Sequence, residues 1–184
     1  MAFLKNLRKD MNEISKTREL FKTVASGDVK KIRKAVSQGA NIHSLNEHGD
    51  SLIHEAIKHG RKEMFDYLRD RGVNQDHANK LLIRAIHVAS RQKDSYFLQQ
   101  LLPYVQDINV KDVDGNTAVR HACEAGLVKN FELLIKKGAD HTISNKRGRL
   151  PLNAVPPKGK LREEFNEVLI KYGKIPSLTP KKKK

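Results

Sequence analysis

The stretch HGDSLIHEA, residues 48–56, places a turn glycine just before an N-cap residue and a helical segment. Gly49 can adopt the positive φ that a tight turn requires, and Ser51 can cap the helix that follows. The same spacing recurs along the chain in three glycine series, whose members lie 33 or 66 residues apart. These series are Gly27, Gly60 and Gly126; Gly39, Gly72 and Gly138; and Gly49, Gly115 and Gly148. A period of this length predicts a chain of repeated supersecondary units.

Each repeat is predicted to contain two short helices. Thr117 follows Gly115 as Ser51 follows Gly49, and Pro151 suits the first position of a helix because its missing N–H costs little there. A glycine of the Gly27 series ends the first helix, and one of the Gly39 series ends the second. The second helices carry apolar stripes at helical spacing, as in Met64, Phe65 and Leu68.

The third repeat departs from this pattern. Leu82, Lys93 and Val105 occupy its three glycine positions, so the repeat is predicted to be present but degenerate. Its turn reads KLLIR, residues 80–84, with apolar residues where a soluble turn is usually polar. Two interpretations stay open. Either the turn is rearranged and its aliphatic side chains fold inward, or it forms an apolar anchor for a partner, ringed by Lys80, Arg84 and Arg91.

The pattern Gly-x-Ser/Thr-x-apolar-His-x-Ala, a second glycine, paired aliphatic residues and then Gly138-Ala139-Asp140 resembles the ankyrin repeat. The resemblance covers roughly residues 17–174. It implies an all-α, ankyrin-type solenoid of about five stacked 33-residue repeats, including degenerate caps. The expected repeat boundaries are residues 14–46, 47–79, 80–112, 113–145 and 146–174. It also implies a protein-binding scaffold without catalytic activity, whose partner varies from member to member.

Two departures from the family pattern carry structural expectations. His54 and His87 occupy the family's histidine position, but Phe21, Arg120 and Asn153 occupy it in the other repeats, so hydrogen bonding there should differ between repeats. In the fifth repeat, the prolines at positions 156 and 157 should truncate the first helix. The last long helix is expected to begin near residue 160 or 161 and to run to residue 171.

Both ends of the chain suggest additional segments. Residues 1–16 predict an amphipathic helix with Phe3, Leu4, Leu7, Met11 and Ile14 on one face. This helix is expected to cap the repeats, or alternatively to lie on a membrane or a partner. Residues 175–184 predict a disordered, polybasic tail. The tail could serve solubility, resemble a nuclear import signal, or contact acidic lipid or nucleic acid.

Composition favours a soluble protein with an acidic partner. The net charge is +15, and residues 145–184 hold 12 of the 36 Lys and Arg residues but 3 of the 21 acidic ones. One cysteine excludes an internal disulfide, and no secretory or membrane-spanning stretch is evident, so a cytoplasmic location is expected. The tail would also permit a nuclear location. Small ankyrin proteins of this kind also occur as secreted bacterial effectors, which would place the protein in a host cell.

The sequence offers weak candidates for chemistry. His121 and Cys123 could form a base and a nucleophile, but residues two apart on a helix face different directions. Cys123 is therefore interpreted as a core residue. The histidine pairs His54/His59 and His43/His48 lack the spacing that places two imidazoles on one helical face. We expect no enzyme activity, no metal, no cofactor and no small-molecule substrate.

The resemblance indicates where a partner would bind, because turn tips and the ends of first helices line one concave edge in such repeats. The leading hypothesis is a monomeric adaptor or inhibitor that binds an acidic protein surface there. The alternative is binding of nucleic acid or anionic membrane through the basic C-terminal repeats and tail. The predicted partner-binding residues are Glu47, His48, Asp50, Lys58, His59, Lys80, Leu81, Ile83, Arg84, Arg91, Asn116, Lys146, Arg147 and Arg149.

Overall fold

The computed structural model describes the backbone of residues 2–175 and the side chains of residues 11–175. The chain divides into two compact units, unit 1 (Met1–Ala89) and unit 2 (Ser90–Lys184). Within the described residues every regular element is helical, apart from one isolated bridge between Leu45 and Ser51. The predicted all-α architecture is confirmed.

The described residues of unit 1 form four helices and all but the last residue of a fifth. These are α1 (Ala2–Ser26), α2 (Val29–Ser37), α3 (Leu52–Lys58), α4 (Lys62–Asp70) and α5 (Ala85–Ser90), which ends at the first residue of unit 2. Helix α1 packs against α2 and α3, and α4 packs against α3. The core of the unit is mainly aliphatic, and its completely buried residues include Ile32, Ile57 and the aromatic Phe65.

Unit 2 contains α6 (Tyr96–Leu101), α7 (Ala118–Glu124), α8 (Val128–Lys136), a 3₁₀ turn (Pro151–Ala154) and α9 (Lys160–Lys171). Helix α8 packs against α6, α7 and α9, while α7 contacts the 3₁₀ turn. The rings of Phe131 and Phe165 meet edge to face at 4.8 Å between centroids. Because both rings are fully buried, they join α8 to the terminal helix.

The glycine series determine where the helices end, as predicted. All nine glycines of the three series have positive φ. Ser51 and Thr117 precede α3 and α7 in extended conformation, the positions expected of N-cap residues. In the fifth repeat, Pro151 opens a 3₁₀ turn of four residues in place of a full helix, and α9 has the predicted bounds.

The third repeat is shortened as well as irregular. Its helices α5 and α6 have 6 residues each, whereas α3 and α7 have 7 and α4 and α8 have 9. Among the described residues, Leu82 is the one non-glycine residue in the left-handed region, with φ 56°. The turn therefore keeps its backbone conformation although the glycine is missing, while Lys93 and Val105 do not imitate the glycines that they replace.

The N-terminal segment forms part of a longer helix. Helix α1 continues from residue 2 through residue 26, so the predicted amphipathic segment and the first helix of the first repeat are one element. Met11 and Ile14 are exposed on it, and the side chains of Phe3, Leu4 and Leu7 lie outside the described residues. The lysine-rich end of the predicted tail, from residue 176, also lies outside the described part of the chain.

Candidate functional site

Four turns with one hydrogen-bond pattern, two in each unit, are the candidate binding surfaces. They span residues 46–50, 79–83, 112–116 and 145–149. In each, the first residue donates its N–H to the carbonyl of the fifth, and the fourth donates to the carbonyl of the first, at 2.9 to 3.1 Å. The identical pattern holds the tips of all four turns in the same backbone conformation.

One polar side chain fixes each turn. The side-chain oxygen of the first residue accepts hydrogen bonds from the N–H groups of the third and fifth residues, as Asn46 does at 2.9 Å to both His48 and Asp50. The equivalent acceptors in the other three turns are Asn79, Asp112 and Asn145. Such Asx interactions satisfy N–H groups that a turn would otherwise leave to solvent. The tips are consequently preorganised before any partner arrives.

This Asn/Asp series is a signal that the sequence reasoning missed. The four residues lie 33 apart, on the same grid as the glycines. None of the four is among the predicted partner-binding residues. A search for polar residues at the repeat interval would have found them.

Neighbouring turns are also bonded to each other within each unit. In unit 1, Lys80 donates its N–H to the carbonyl of His48 at 3.1 Å, and the Asn79 amide donates to Asp50 Oδ1 at 2.6 Å. In unit 2, Lys146 donates to the carbonyl of Asp114 at 2.9 Å. The tips therefore form a bonded pair in each unit.

Most of the predicted partner-binding residues are exposed. In unit 1 these are Glu47, His48, Lys58, His59, Lys80 and Leu81. In unit 2 they are Arg91, Lys146, Arg147 and Arg149. These side chains are available for contact, and their role in binding stays a prediction.

The other four predicted residues are engaged within the protein. Asn116 is buried and accepts a hydrogen bond from the Asn145 amide at 2.9 Å, while Asp50 accepts one from Asn79. Ile83 is half-buried, and the Arg84 guanidinium lies 2.8 Å from an Asp76 carboxylate oxygen. The expected basic ring around the third turn thus loses Arg84, whose charge is already paired.

The aliphatic residues at the tip of the third turn point into solvent. Leu81 is 53% exposed and Leu82 is 50% exposed, so the interpretation in which they fold inward is wrong for these two side chains. A left-handed backbone at a leucine costs about 1 kcal/mol or more, because Cβ approaches the following carbonyl oxygen. The turn therefore tolerates strain and displays apolar surface at the same position.

The family's histidine position shows the expected variation in hydrogen bonding. His54 Nδ1 accepts the Ser51 N–H at 3.3 Å, so its Nε2–H donates to the Ile83 carbonyl at 3.0 Å. Burial lowers the pKa of His54, in keeping with a neutral ring. In the fourth repeat, Arg120 cannot accept, and its guanidinium instead donates to the Leu150 carbonyl at 3.0 Å. His54 and Arg120 thus both donate a hydrogen bond to a carbonyl at the turn of the next repeat, one from an imidazole and the other from a guanidinium.

A buried polar network lies beneath the exposed arginines of unit 2. The His121 ring is completely buried, with Nε2 2.9 Å from Asp112 Oδ2 and Nδ1 3.0 Å from Arg91 Nε. Because a guanidinium only donates, Nδ1 must accept, and the ring proton lies on Nε2 toward Asp112. Burial raises the pKa of Asp112, but hydrogen bonds from the backbone and side-chain N–H groups of Asn116 lower it by more. The pKa of Asp112 therefore lies below its ordinary value. His121 thereby positions Arg91 at the edge.

The candidate nucleophile is a core residue, as predicted. Cys123 is buried, and burial raises the pKa of its thiol to about 12. A thiol with such a pKa is almost fully protonated at neutral pH and is a poor nucleophile. Among the described residues, no three His, Cys, Asp or Glu side chains are grouped so that they could hold a metal ion. None of the helices in that part of the chain has the length and apolar character needed to cross a bilayer.

Repeated helix pairs joined by ordered, exposed turns define the class of helical repeat proteins. Two family models match the chain. "Ankyrin repeats (3 copies)" matches residues 86–173, and "Ankyrin repeats (many copies)" matches residues 20–69. The chain belongs to the ankyrin repeat family, whose repeats generally mediate protein–protein interaction and are typically without catalytic activity.

Its relatives are proteins of very different size. The chain is 28% identical over 133 residues to human transient receptor potential cation channel subfamily A member 1, covering 72% of this chain and 12% of that protein. It is 33% identical over 104 residues to ankyrin repeat and SOCS box protein 11 of Danio rerio, covering 56% and 35%. With protein PhlB of Serratia liquefaciens, identity is 30% over 138 residues, covering 73% and 59%. The chain thus spans less than two thirds of the length of each of these relatives.

Proposed function

We propose that the protein is a non-catalytic scaffold, an adaptor or inhibitor, that binds an acidic surface of a partner protein through its turn tips and first helices. The observation that carries the proposal is the set of preorganised turns, whose exposed charged side chains are four Lys or Arg residues against Glu47 and Asp114. A rigid edge binds with a smaller loss of conformational entropy than a flexible loop does. The family's general role in protein interaction supports the same conclusion.

In unit 1 the edge borders a groove. Side chains from α1, the 46–50 turn and the end of α3 line a cleft of about 900 Å³. Leu45 and Ile14 contribute exposed apolar surface to it, and Glu47, His48 and Lys58 contribute polar groups. An apolar floor with a polar rim is the arrangement found at protein interfaces.

The tip of the third turn would supply an apolar anchor. Leu81 and Leu82 project from a turn whose backbone is held by Asn79, so little entropy is lost when they are buried by a partner. Burial of apolar surface contributes about 25 cal/mol per Å². Lys80 beside them is exposed and would contact an acidic group at the rim.

In unit 2 the edge is basic. Arg147 and Arg149 project from the 145–149 turn, and Lys146 lies between Asn145 and these arginines along the chain. Arg91 is exposed and positioned by His121. An excess of arginine on a preorganised surface favours acidic partners, because each guanidinium offers a planar fork of donors to a carboxylate.

A capture experiment with matched variants tests the proposal. The tagged full chain is crosslinked in cell extract, and captured proteins are identified by mass spectrometry for wild type, Leu81→Ser, Arg147→Glu/Arg149→Glu and Lys136→Glu/Lys137→Glu. The last variant makes the same charge change at exposed positions at the end of α8. A partner with an acidic surface should be retained by this control and reduced at least tenfold by the other two variants.

Three results would overturn the proposal. Equal capture by all four proteins would place the binding surface elsewhere. Two further observations would favour the alternative of polyanion binding. One is the loss of every captured protein after nuclease treatment, and the other is binding to free nucleic acid that weakens steeply as salt is added.

A further inference from the structure

Six charged side chains surround one small cavity of unit 2. The cavity has a volume of about 240 Å³ and is open to solvent at the edge. Its charged lining groups come from α7, the residue that follows α5, and two turns. They are Arg91, Arg120, Arg147, Arg149, Asp114 and Glu124.

Two of the four arginines are fixed by the protein. Arg120 is almost buried, with Nε 3.0 Å from Glu124 Oε1 and a second nitrogen donating to the Leu150 carbonyl. Arg91 donates to His121 Nδ1, and its own distance to Glu124 is 3.8 Å. Both guanidinium groups are therefore held in place at the cavity wall, and a ligand need not order them.

The other two arginines are exposed at the mouth. Among residues 11–175, no carboxylate lies within ion-pair distance of the Arg147 or Arg149 guanidinium. Their backbone N–H groups are bonded to Asn145, so the chain that carries them is ordered while the side chains are available. The cavity thus combines fixed donors at the wall with available donors at the entrance.

The charge balance favours a dianion. Four guanidinium groups and two carboxylates leave the lining with two uncompensated positive charges. A phosphomonoester carries about −1.5 to −2 at pH 7 and offers three acceptor oxygens, whereas a carboxylate carries one charge and two oxygens. Planar guanidinium forks match the phosphate geometry.

We infer that this arginine cavity binds a phosphomonoester group on the partner protein, a phosphorylated serine or threonine side chain. The inference rests on the proposed function, and it names the chemistry that one part of the edge recognises. No aromatic side chain is among the lining residues, so the cavity lacks a platform on which bases could stack.

A titration with defined peptides tests the inference directly. The full chain is titrated with acetyl-Gly-phosphoserine-Gly-amide and with its Glu and Ser counterparts, and binding is followed by NMR of the arginine Nε–H groups. The phosphoserine peptide should bind at least ten times more tightly than the Glu peptide. The expected shifts involve Arg91, Arg147 and Arg149.

Matched variants locate the site. Arg147→Ala/Arg149→Ala should weaken phosphoserine binding at least tenfold, whereas Lys136→Ala/Lys137→Ala should leave it unchanged. Arg147→Lys/Arg149→Lys keeps the charge but removes the forks, and it should weaken binding by a smaller factor. Retained far-ultraviolet circular dichroism shows that each variant is folded.

Three results would overturn the inference. These are equal affinities for the phosphoserine and Glu peptides, equal loss in the Lys136/Lys137 control, and tighter binding of a single-stranded oligonucleotide through the same arginines. Phosphatase treatment of the extract separates this inference from the proposed function. If capture persists after dephosphorylation but is lost in Arg147→Glu/Arg149→Glu, the scaffold proposal stands and the phosphate site fails.

Discussion

The turn pair of unit 1, residues 46–50 and 79–83, and that of unit 2, residues 112–116 and 145–149, share one backbone design and display different chemistry. In unit 1 the exposed tips include His48, Leu81 and Leu82, whereas in unit 2 they include Arg147 and Arg149. The Asx hydrogen bonds are the same in both pairs. The comparison shows that the framework is separate from the side chains that it presents, so binding chemistry can change without a change of fold.

The largest expected loss of stability follows the removal of the charged side chain that holds a turn of unit 2. Asp112→Ala removes an acceptor for the Asp114 and Asn116 N–H groups and the partner of buried His121. We expect a loss of about 3 kcal/mol or more in the free energy of unfolding, since buried donors are left unsatisfied. Urea denaturation followed by circular dichroism measures it.

Asn79→Ala is the matched change in unit 1 and removes a neutral acceptor from an equivalent turn. It should cost less than Asp112→Ala. If the two variants lose the same stability, the His121 network adds nothing to the turn of unit 2.

The next effect tests why leucine is tolerated in one turn. In Gly115→Leu the new Cβ would lie 3.0 Å from the Lys146 nitrogen, at a φ of 79°. Backbone strain and crowding together should cost about 2 to 3 kcal/mol. Gly148→Leu is the control, because no atom beyond the adjacent residues lies within 4 Å of its Cβ, and it should cost about 1 kcal/mol. Thermal and urea unfolding measure the stability of both variants. Equal losses of unfolding free energy in the two would contradict this explanation.

A smaller effect concerns the bridge between repeats in unit 1. In His54→Asn the new amide oxygen can still accept the Ser51 N–H, as Asn153 Oδ1 accepts the Leu150 N–H at 2.7 Å in the fifth repeat. The variant loses the hydrogen bond from His54 Nε2 to the Ile83 carbonyl at 3.0 Å. We expect a loss of about 1 kcal/mol at neutral pH.

The same variant should also change the pH dependence of stability. Because the folded pKa of His54 is lowered below its ordinary value of 6.5, the unfolded chain binds more protons, and stability falls as the pH drops below 6.5. His54→Asn should therefore show a shallower fall between pH 7 and pH 5 than wild type. An equal slope in the two proteins would assign the pH dependence to other groups.

The smallest effect is a gain. Leu82→Gly relieves the left-handed leucine and should stabilise the protein by up to about 1 kcal/mol. If Leu82 is part of the anchor, the more stable variant should bind its partner more weakly. Increased stability with undiminished capture would remove Leu82 from the binding site.

Much of the architecture could be predicted from local signals, and parts of the edge could not. The glycine series predicted the helix ends, and Pro156 and Pro157 predicted the truncated first helix of the fifth repeat. The exposed set was inferred from family position alone, and this failed to anticipate that Asn116 is buried. The pairing of Arg84 with Asp76, at 2.8 Å, was not anticipated either, because no repeat-level pattern links the two residues.

The sequence by itself determined the repeat length, the turn positions and the helical class. These features depend on backbone preferences of glycine, proline and capping residues, which act within a few residues and recur every 33. Only the tertiary structure decided which arginines are occupied and which are available. Arg91 with His121 and Arg120 with Leu150 are contacts between residues 30 apart, and their geometry follows from packing of whole repeats. The local pattern determines the backbone position of each side chain, whereas packing between repeats determines which groups the side chain contacts.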